Sequence, residues 1–420
     1  MNYKYSLIFL FTLFSIPSFS QTTRTDVVVS GNTAGALAAA IQASRSGVKT
    51  ILLSSETEIS TALTAKDIDY LNKIRNHFSG KKGSKPAVAD SLLSKNLSSR
   101  ELSQLIKGIT DTVKNLTVLL NTDFRKIEKN GKGWEIKLTS GKSVKTDVLV
   151  DASSDFKASS LLNINPGKTI LSLSASTDKN QYLSKVYRTS VGYGELITEN
   201  GSRSEFPVPL ASLLPSGIEN FIIVPRGEGK FVPVSMSAGQ AAGASAAFCA
   251  FFKTTTKNLN IRVIQGELLA FESRMVPFAD IDFKDRDAMA FQHIALTGLI
   301  NLKTAKADST EQFIFDTLGT VSAAELRIPM KEFYSRSQIW FADNKMEELS
   351  IEDVINLFMF SVARGEELRK EIEKGWKDSF KFSTKYEPKR AINRREFAVL
   401  ADKYLQPFNV RVDLSGNLMN

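Results

Sequence analysis

The chain has 420 residues, with 54 Lys and Arg against 45 Asp and Glu, a formal charge of +9 at pH 7, one cysteine and two histidines. A lone Cys249 excludes an intrachain disulfide and a cysteine-held iron–sulfur centre, and His77 and His293 are too few for a histidine-rich site, so no metal is expected. The basic residues are scattered (Lys81-Lys82, Lys126 to Lys132, Lys389 to Arg395) with no stripe interleaved with aromatics; nucleic acid is therefore not expected as a partner, and a loose attraction to an anionic cell envelope stays open.

Lys4, the apolar run Leu7 to Phe14, and small Ser18 and Ser20 ahead of Gln21 have the layout of a secretory signal peptide cleaved after Ser20. The run is too short to span a bilayer. A periplasmic or secreted location follows, with no transmembrane segment expected after cleavage.

Thr25 to Ser30 is a β-branched run ending at Gly31 and is read as a buried parallel strand. Ala34 to Ser46 is an alanine-rich helix stopped by Gly47, and Val48 to Leu53 is a second buried strand. Together they make one βαβ unit. Residues 68 to 117 read as charged helices around a Gly/Lys/Ser-rich loop at 79 to 85. Short strands follow at 116 to 120, 124 to 129, 134 to 138 and 143 to 145, with Asn130-Gly131 and Ser140-Gly141 as hairpin turns. Asp147 to Val150 is another buried strand, ended by Asp151-Ala152-Ser153-Ser154. Residues 155 to 210 are poor in pattern. Phe221 to Val224 is a last buried strand, and Ser235 to Phe252 a long small-residue helix in which Cys249 reads as a buried hydrophobe. Residues 283 to 420 read as helical, charged and nearly strandless. Two segments there echo each other: Ser350 stands three before Asp353 and Asn393 three before Glu396, the capping-box spacing.

The turn Gly31-Asn32-Thr33-Ala34-Gly35-Ala36 has the form of a dinucleotide fingerprint. Such a turn needs glycine for the tight bend, for close approach of a pyrophosphate, and for helix–strand packing. Gly31 keeps the first place, Thr33 takes the second and Ala36 the third. The acid expected about twenty residues on, for the adenine ribose, is replaced by Ser54, followed by Ser55 and Glu56.

The run from Gly31 to Arg45 resembles, in register, the first turn and helix of a family of exported bacterial FAD-dependent oxidoreductases. Leu116 to Ser153 resembles that family's β-meander and the strand leading to its Asp-Ala-Thr turn, here Asp151-Ala152-Ser153. Pro233 to Gly243 resembles its last flavin-domain helix. Val276-Pro277-Phe278 and 285 to 300 continue the likeness. Where the family has two glycines after the second strand, this chain has Ser60 and Thr61, followed by matching Ala62-Leu63-Thr64. The stretch between Arg226 and Lys230, and residues 155 to 205, are shortened.

The resemblance implies an α/β fold: an FAD/NAD(P)-binding Rossmann-like domain with a parallel sheet and β-meander, plus a mainly helical C-terminal region. It implies FAD as cofactor, held by Gly31, Asn32, Thr33, Ala34, Gly35, Ala36, Ser54, Ser55, Glu56, Thr64, Ala152, Ser153, Gly239 and Gly243, with the isoalloxazine reaching the helix that begins near Ser235. Residues 21–255 are assigned to that domain, with a discontinuous core of 24–64, 110–155 and 206–253 and inserted segments 65–109 and 156–205. Residues 256–420 form the C-terminal region, where Trp340 to Asp343 and the echo segments resemble S-layer-homology tails. Tyr187, Arg188 and Tyr193 are either ligand contacts or surface residues, and Asp285 and Asp287 are read as helix caps. Two functions stay open: an oxidoreductase acting on a small organic or carbohydrate-derived substrate, or an inactive relative serving as an envelope-associated binding protein.

Overall fold

A computed structural model of the chain describes residues 22–64, 66–68, 70–71, 98–173, 183–227, 229–282, 284–307 and 310–419. The expected signal segment and His77 lie outside these residues. Strand β1 (Thr22–Ser30) is the centre of the first sheet. It pairs in parallel with β2 (Thr50–Leu53) on one side and β6 (Ser143–Asp151) on the other. Beyond β2 lies β3 (Leu116–Leu119), also parallel. The free edge of β6 is shared. Its first half carries an antiparallel meander of β5 (Gly133–Leu138) and β4 (Phe124–Asn130), and its last three residues carry β9 (Phe221–Ile223) in parallel. The residues read as two short strands at 143 and 147 are thus one strand, long enough for two partners.

Burial on both faces explains the unbroken β-branched run in β1. Val27 and Val29 point into the larger core and Val28 into a smaller cluster with Trp134, Ile136 and Phe221, and all three valines are fully buried. Helix α1 (Ala34–Arg45) makes the crossover from β1 to β2. Helix α2 (Ser99–Thr112) leads into β3 behind a Ser98/Glu101 capping box.

The part that is poor in pattern holds two short helices, α3 (Lys157–Leu161) and α4 (Leu183–Thr189), and the hairpin β7 (Ser190–Ile197) and β8 (Arg203–Pro209). With β10 (Phe231–Pro233) this hairpin starts a second sheet, completed from a distance by β11 (Lys303–Ala307) and β12 (Thr310–Ile314) in the order β10-β7-β8-β12-β11. The region after 283, read as nearly strandless, thus contributes one hairpin. Its hairpin is hard to read because β11 is exposed throughout and has only Ala305 and Ala307 as apolar residues.

Helix α5 (Ser235–Phe251) is buried nearly all round and packs along α1. Helices α6 (Ile261–Ala270), α7 (Ala288–Thr297), α8 (Ala323–Phe333), α9 (Ser337–Asp343), α10 (Ile351–Val362), α11 (Glu366–Asp378) and α12 (Arg394–Tyr404) follow. The capping boxes read at Ser350/Asp353 and Asn393/Glu396 both form. One apolar cluster runs from Val27 through α1, α5 and the C-terminal helices to Val412, so the C-terminal region shares a core with the sheet. Cys249 is buried in α5, and burial pushes its thiol up to about 12. No helix among the described residues is long and apolar enough to cross a membrane.

Candidate functional site

In an open α/β sheet a ligand lies outside the carboxyl ends of the parallel strands. Here β1 leaves the sheet at Gly31, whose φ of +132° is open to glycine and strained for any other residue. A Cβ at Gly31 would lie 2.6 Å from the carbonyl oxygen of Ala152 and 2.7 Å from Cα of Ser153, so the turn is pressed against the end of β6. Thr33 caps α1. Its hydroxyl accepts from the Ala36 N–H at 3.1 Å and donates to the Ala152 carbonyl at 2.8 Å, tying the helix start to β6. The N–H groups of Ala34 and Gly35 have no hydrogen-bond partner among the described residues.

Ser54, at the end of β2, is buried, and its hydroxyl accepts from the Glu56 N–H at 3.0 Å. Ser55 and Glu56 are exposed. With Gly31, Asn32 and Ser153 these residues line a cleft of about 120 Å³ whose remaining walls include Asp123, Asp155 and Lys157. Lys157, at the start of α3, forms an ion pair with Asp123 across this cleft, and the donated hydrogen bond holds the Asp123 carboxyl below the usual range. Beside it, Arg226 donates to the Ser153 carbonyl at 2.8 Å and stacks 4.3 Å over the Phe156 ring. Asp151 is fully buried and accepts from the backbone N–H and hydroxyl of both Ser153 and Ser159, which fixes the loop after β6.

The N-terminus of α5 lies beside that of α1. A Cβ on Gly35 would meet Val224 at 2.8 Å and Ser235 at 3.1 Å, and one on Gly239 or Gly243 would lie 2.2 Å from the carbonyl oxygen of Gly35 or Ala39. The structure therefore gives Gly239 and Gly243 a packing role: they let two helix backbones touch, which is a different need from approach to a cofactor. At the first turn of α5, Asp67 accepts from the Met236 N–H at 2.9 Å through Oδ1. Its Oδ2 accepts from the Thr64 N–H at 3.1 Å and hydroxyl at 2.7 Å. Thr64, expected to touch cofactor, thus has its hydroxyl on Asp67. Neighbouring Lys66 bridges to Glu195 on β7 at 2.9 Å and Glu205 on β8 at 3.1 Å, so Lys66 and Asp67 join the start of α5 to the second sheet. Burial pushes the Glu205 carboxyl up.

Asp67, Asp123, Lys157 and Arg226 are not among the site residues expected from the sequence. The pattern Thr64-x-x-Asp67 carries a capping-box signal that points to the first of them. Other candidates are structural. Arg188 is 1% exposed, donates to the carbonyls of Thr297 and Gly416 and pairs with Glu332, so it is neither a surface residue nor a ligand contact. His293 lies 2.9 Å from Asp402 and stacks on Phe408. Asp285 and Asp287 do not cap α7. Asp287 holds the N-cap position without a capping bond, and both carboxylates bind Arg395.

A parallel sheet with a glycine turn after its first strand and a meander off its far strand defines an FAD/NAD(P)-binding Rossmann-like domain. Residues 26–159 match the family described as FAD dependent oxidoreductase, in agreement with the resemblance read from the sequence, and FAD is the cofactor this match supports. The chain is similar over part of its length to Aquifex aeolicus GidA (16% identity, 30% of this chain and 24% of that one, TM-score 0.23). It is likewise similar to the flavin-dependent monooxygenase PieE in complex with FAD and substrate (16%, 35% and 34%, TM-score 0.27) and T. acidophilum thioredoxin reductase (18%, 30% and 34%, TM-score 0.20). It spans about a quarter to a third of those proteins, and likeness at this level carries no weight for function. No curated protein sequence matches the chain.

The residues offer FAD a divided fit. Gly31 and the N–H groups of Ala34 and Gly35 suit a pyrophosphate at a helix start. The rest of the cleft is small, about 120 Å³ against the roughly 300–1,000 Å³ of sites for drug-sized ligands. It is also lined by three carboxylates, Glu56, Asp123 and Asp155, against the one cation Lys157.

Proposed function

We propose that the protein is an exported FAD-dependent oxidoreductase acting on a small organic or carbohydrate-derived substrate, with residues 1–20 as a cleaved signal peptide. The glycine turn at the carboxyl edge of β1, within the segment matched to the family, carries this reading. In it Gly31 to Ala36 receive the pyrophosphate, Ser54 to Glu56 the adenine ribose, and Ala152 and Ser153 close the turn from the β6 side. FAD, when bound, supplies hydride and electron transfer, and the protein positions it. The flavin domain is assembled from 24–64, 110–155 and 206–253, and the C-terminal helices serve envelope association.

Three observations favour a second reading, an inactive relative that works by binding. Thr33 and Ser54 turn their hydroxyls onto the chain itself, and Asp67 occupies the start of α5. FAD titration followed by flavin fluorescence separates the two. The oxidoreductase reading expects micromolar or tighter binding by the wild type. It also expects tighter binding by Ser54→Glu, whose carboxylate accepts from the ribose hydroxyls, on the order of 1–2 kcal/mol. If neither protein binds at high micromolar FAD, the oxidoreductase reading falls. Intact mass of envelope-recovered protein tests export: a chain starting at Gln21 is expected, and one retaining Met1 refutes cleavage.

A further inference from the structure

An anion gains most at two places along the carboxyl edge of the first sheet. One is the start of α5, where free N–H groups and the helix dipole coincide. The other is the ammonium of Lys157, the cation lining the cleft. Each already holds a carboxylate of the chain.

The two carboxylates differ in how firmly they are held. Asp67 is 1% exposed and makes three hydrogen bonds, from Met236 N–H and from the N–H and hydroxyl of Thr64. The segment around it is anchored on both sides, by Lys66 to Glu195 and Glu205 and by the Tyr70 hydroxyl to Ser273 at 3.0 Å. Asp123 has a side chain 40% exposed and its partner Lys157 one 30% exposed, so water and ligands reach both. Only the second anion can leave without unpacking the core.

We infer that Asp67 and Asp123 stand in for anionic groups of the cofactor. Asp67 fills the start of α5 permanently, while Asp123 is the exchangeable occupant that FAD displaces to reach Lys157. This rests on the reading that FAD is the ligand of the cleft. It assigns Lys157 as the phosphate-binding cation and Asp123 as the carboxylate that competes for it. It also removes the α5 N-terminus from the groups that contact FAD.

The test is FAD titration by flavin fluorescence at low ionic strength on the full chain, with ligand-free melting of each variant as the check on folding. Asp123→Asn removes the competitor and one of three carboxylates lining the cleft, and should bind FAD about tenfold tighter than wild type, the scale of one charge-assisted contact. Lys157→Met should bind more weakly than wild type, and the double variant Asp123→Asn/Lys157→Met should lose the gain. Asp67→Asn, which keeps the shape and drops the charge, should lower the ligand-free melting temperature. An unchanged or raised melting temperature overturns the role given to Asp67. Wild type that emerges loaded with stoichiometric flavin, or Asp123→Asn that binds as wild type does, overturns the inference and leaves the FAD reading standing. If no variant binds FAD at high micromolar concentration, both fall together.

Discussion

The contact between α1 and α5 makes a glycine-to-alanine change at Gly239 destabilising, while the same change at Gly266, where space is open, is stabilising. An added Cβ at Gly239 would sit 2.2 Å from the Gly35 carbonyl oxygen and 2.7 Å from its Cα, and real Cβ atoms essentially never come within 3.0 Å of another heavy atom. Reaching even 3.0 Å requires the helices to part by about 0.8 Å along a seam that also holds Gly243 against Ala39. Overpacking of this kind costs about 1–3 kcal/mol or more, and backbone against backbone, with no rotamer to yield, belongs at the upper end. Alanine returns about 1 kcal/mol of helix propensity, leaving Gly239→Ala roughly 2 kcal/mol less stable. Gly266 in α6 has nothing within 4 Å of its would-be Cβ, so Gly266→Ala keeps only the gain, about 0.5–1 kcal/mol. Urea unfolding of both variants, followed by tryptophan fluorescence, reads the difference. Shifts of the same sign in the two proteins would refute the claim that Gly239 is there for helix approach.

Gly31→Val should destabilise the fold even without ligand, because its Cβ meets the Ala152 and Ser153 backbone and its φ is unsuited to valine; a variant that melts with wild type would contradict this. Hydrogen bonds from Arg395 hold the Asp285 carboxyl below the ordinary carboxylate range. A carboxyl depressed in the folded state adds stability above its unfolded pKa, near 4, and loses it as the pH falls through its lower folded value. Arg395→Met should therefore cost about 1–3 kcal/mol at neutral pH, and the gap from wild type should shrink as the pH falls below the ordinary carboxylate value, near 4; a gap that does not change with pH would count against this.

The parts of the fold legible in the sequence are those where one residue type has one physical meaning. Val27 to Val29 can be buried on both faces only in a parallel sheet, and they are. Gly131 and Gly141 take the positive φ expected at the two meander turns, and Ser350 and Asn393 cap the helices their spacing announces. Legibility fails where two needs ask for the same residue. A glycine on a helix face serves a ligand or another helix equally well, so Gly239 and Gly243 could not be told apart from cofactor contacts before α1 was seen against them. Asp67 acts on an N–H 169 positions away, and Arg188 is satisfied by a carbonyl 228 positions away. Neither partnership leaves a local pattern. The hairpin of β11 and β12 is invisible for another reason: its pairing with β8 rests on backbone bonds and polar side chains at an edge.

The buried guanidinium of Arg188 sets an order on folding. Its partners are the Glu332 carboxylate and the carbonyls of Thr297 and Gly416, and next to it a Cβ on Gly416 would lie 2.2 Å from the Lys185 carbonyl oxygen, while the Lys185 ammonium reaches Asn417 at 2.8 Å. Gly416 and Asn417 are thus packed against α4. β1, β2 and β6 can pair without Arg188, but a buried cation is too costly to enclose before the Glu332 carboxylate and the carbonyls of Thr297 and Gly416 are in place. Closure around α4 thus joins stretches of chain 228 positions apart in one step, and local pairing alone cannot complete it.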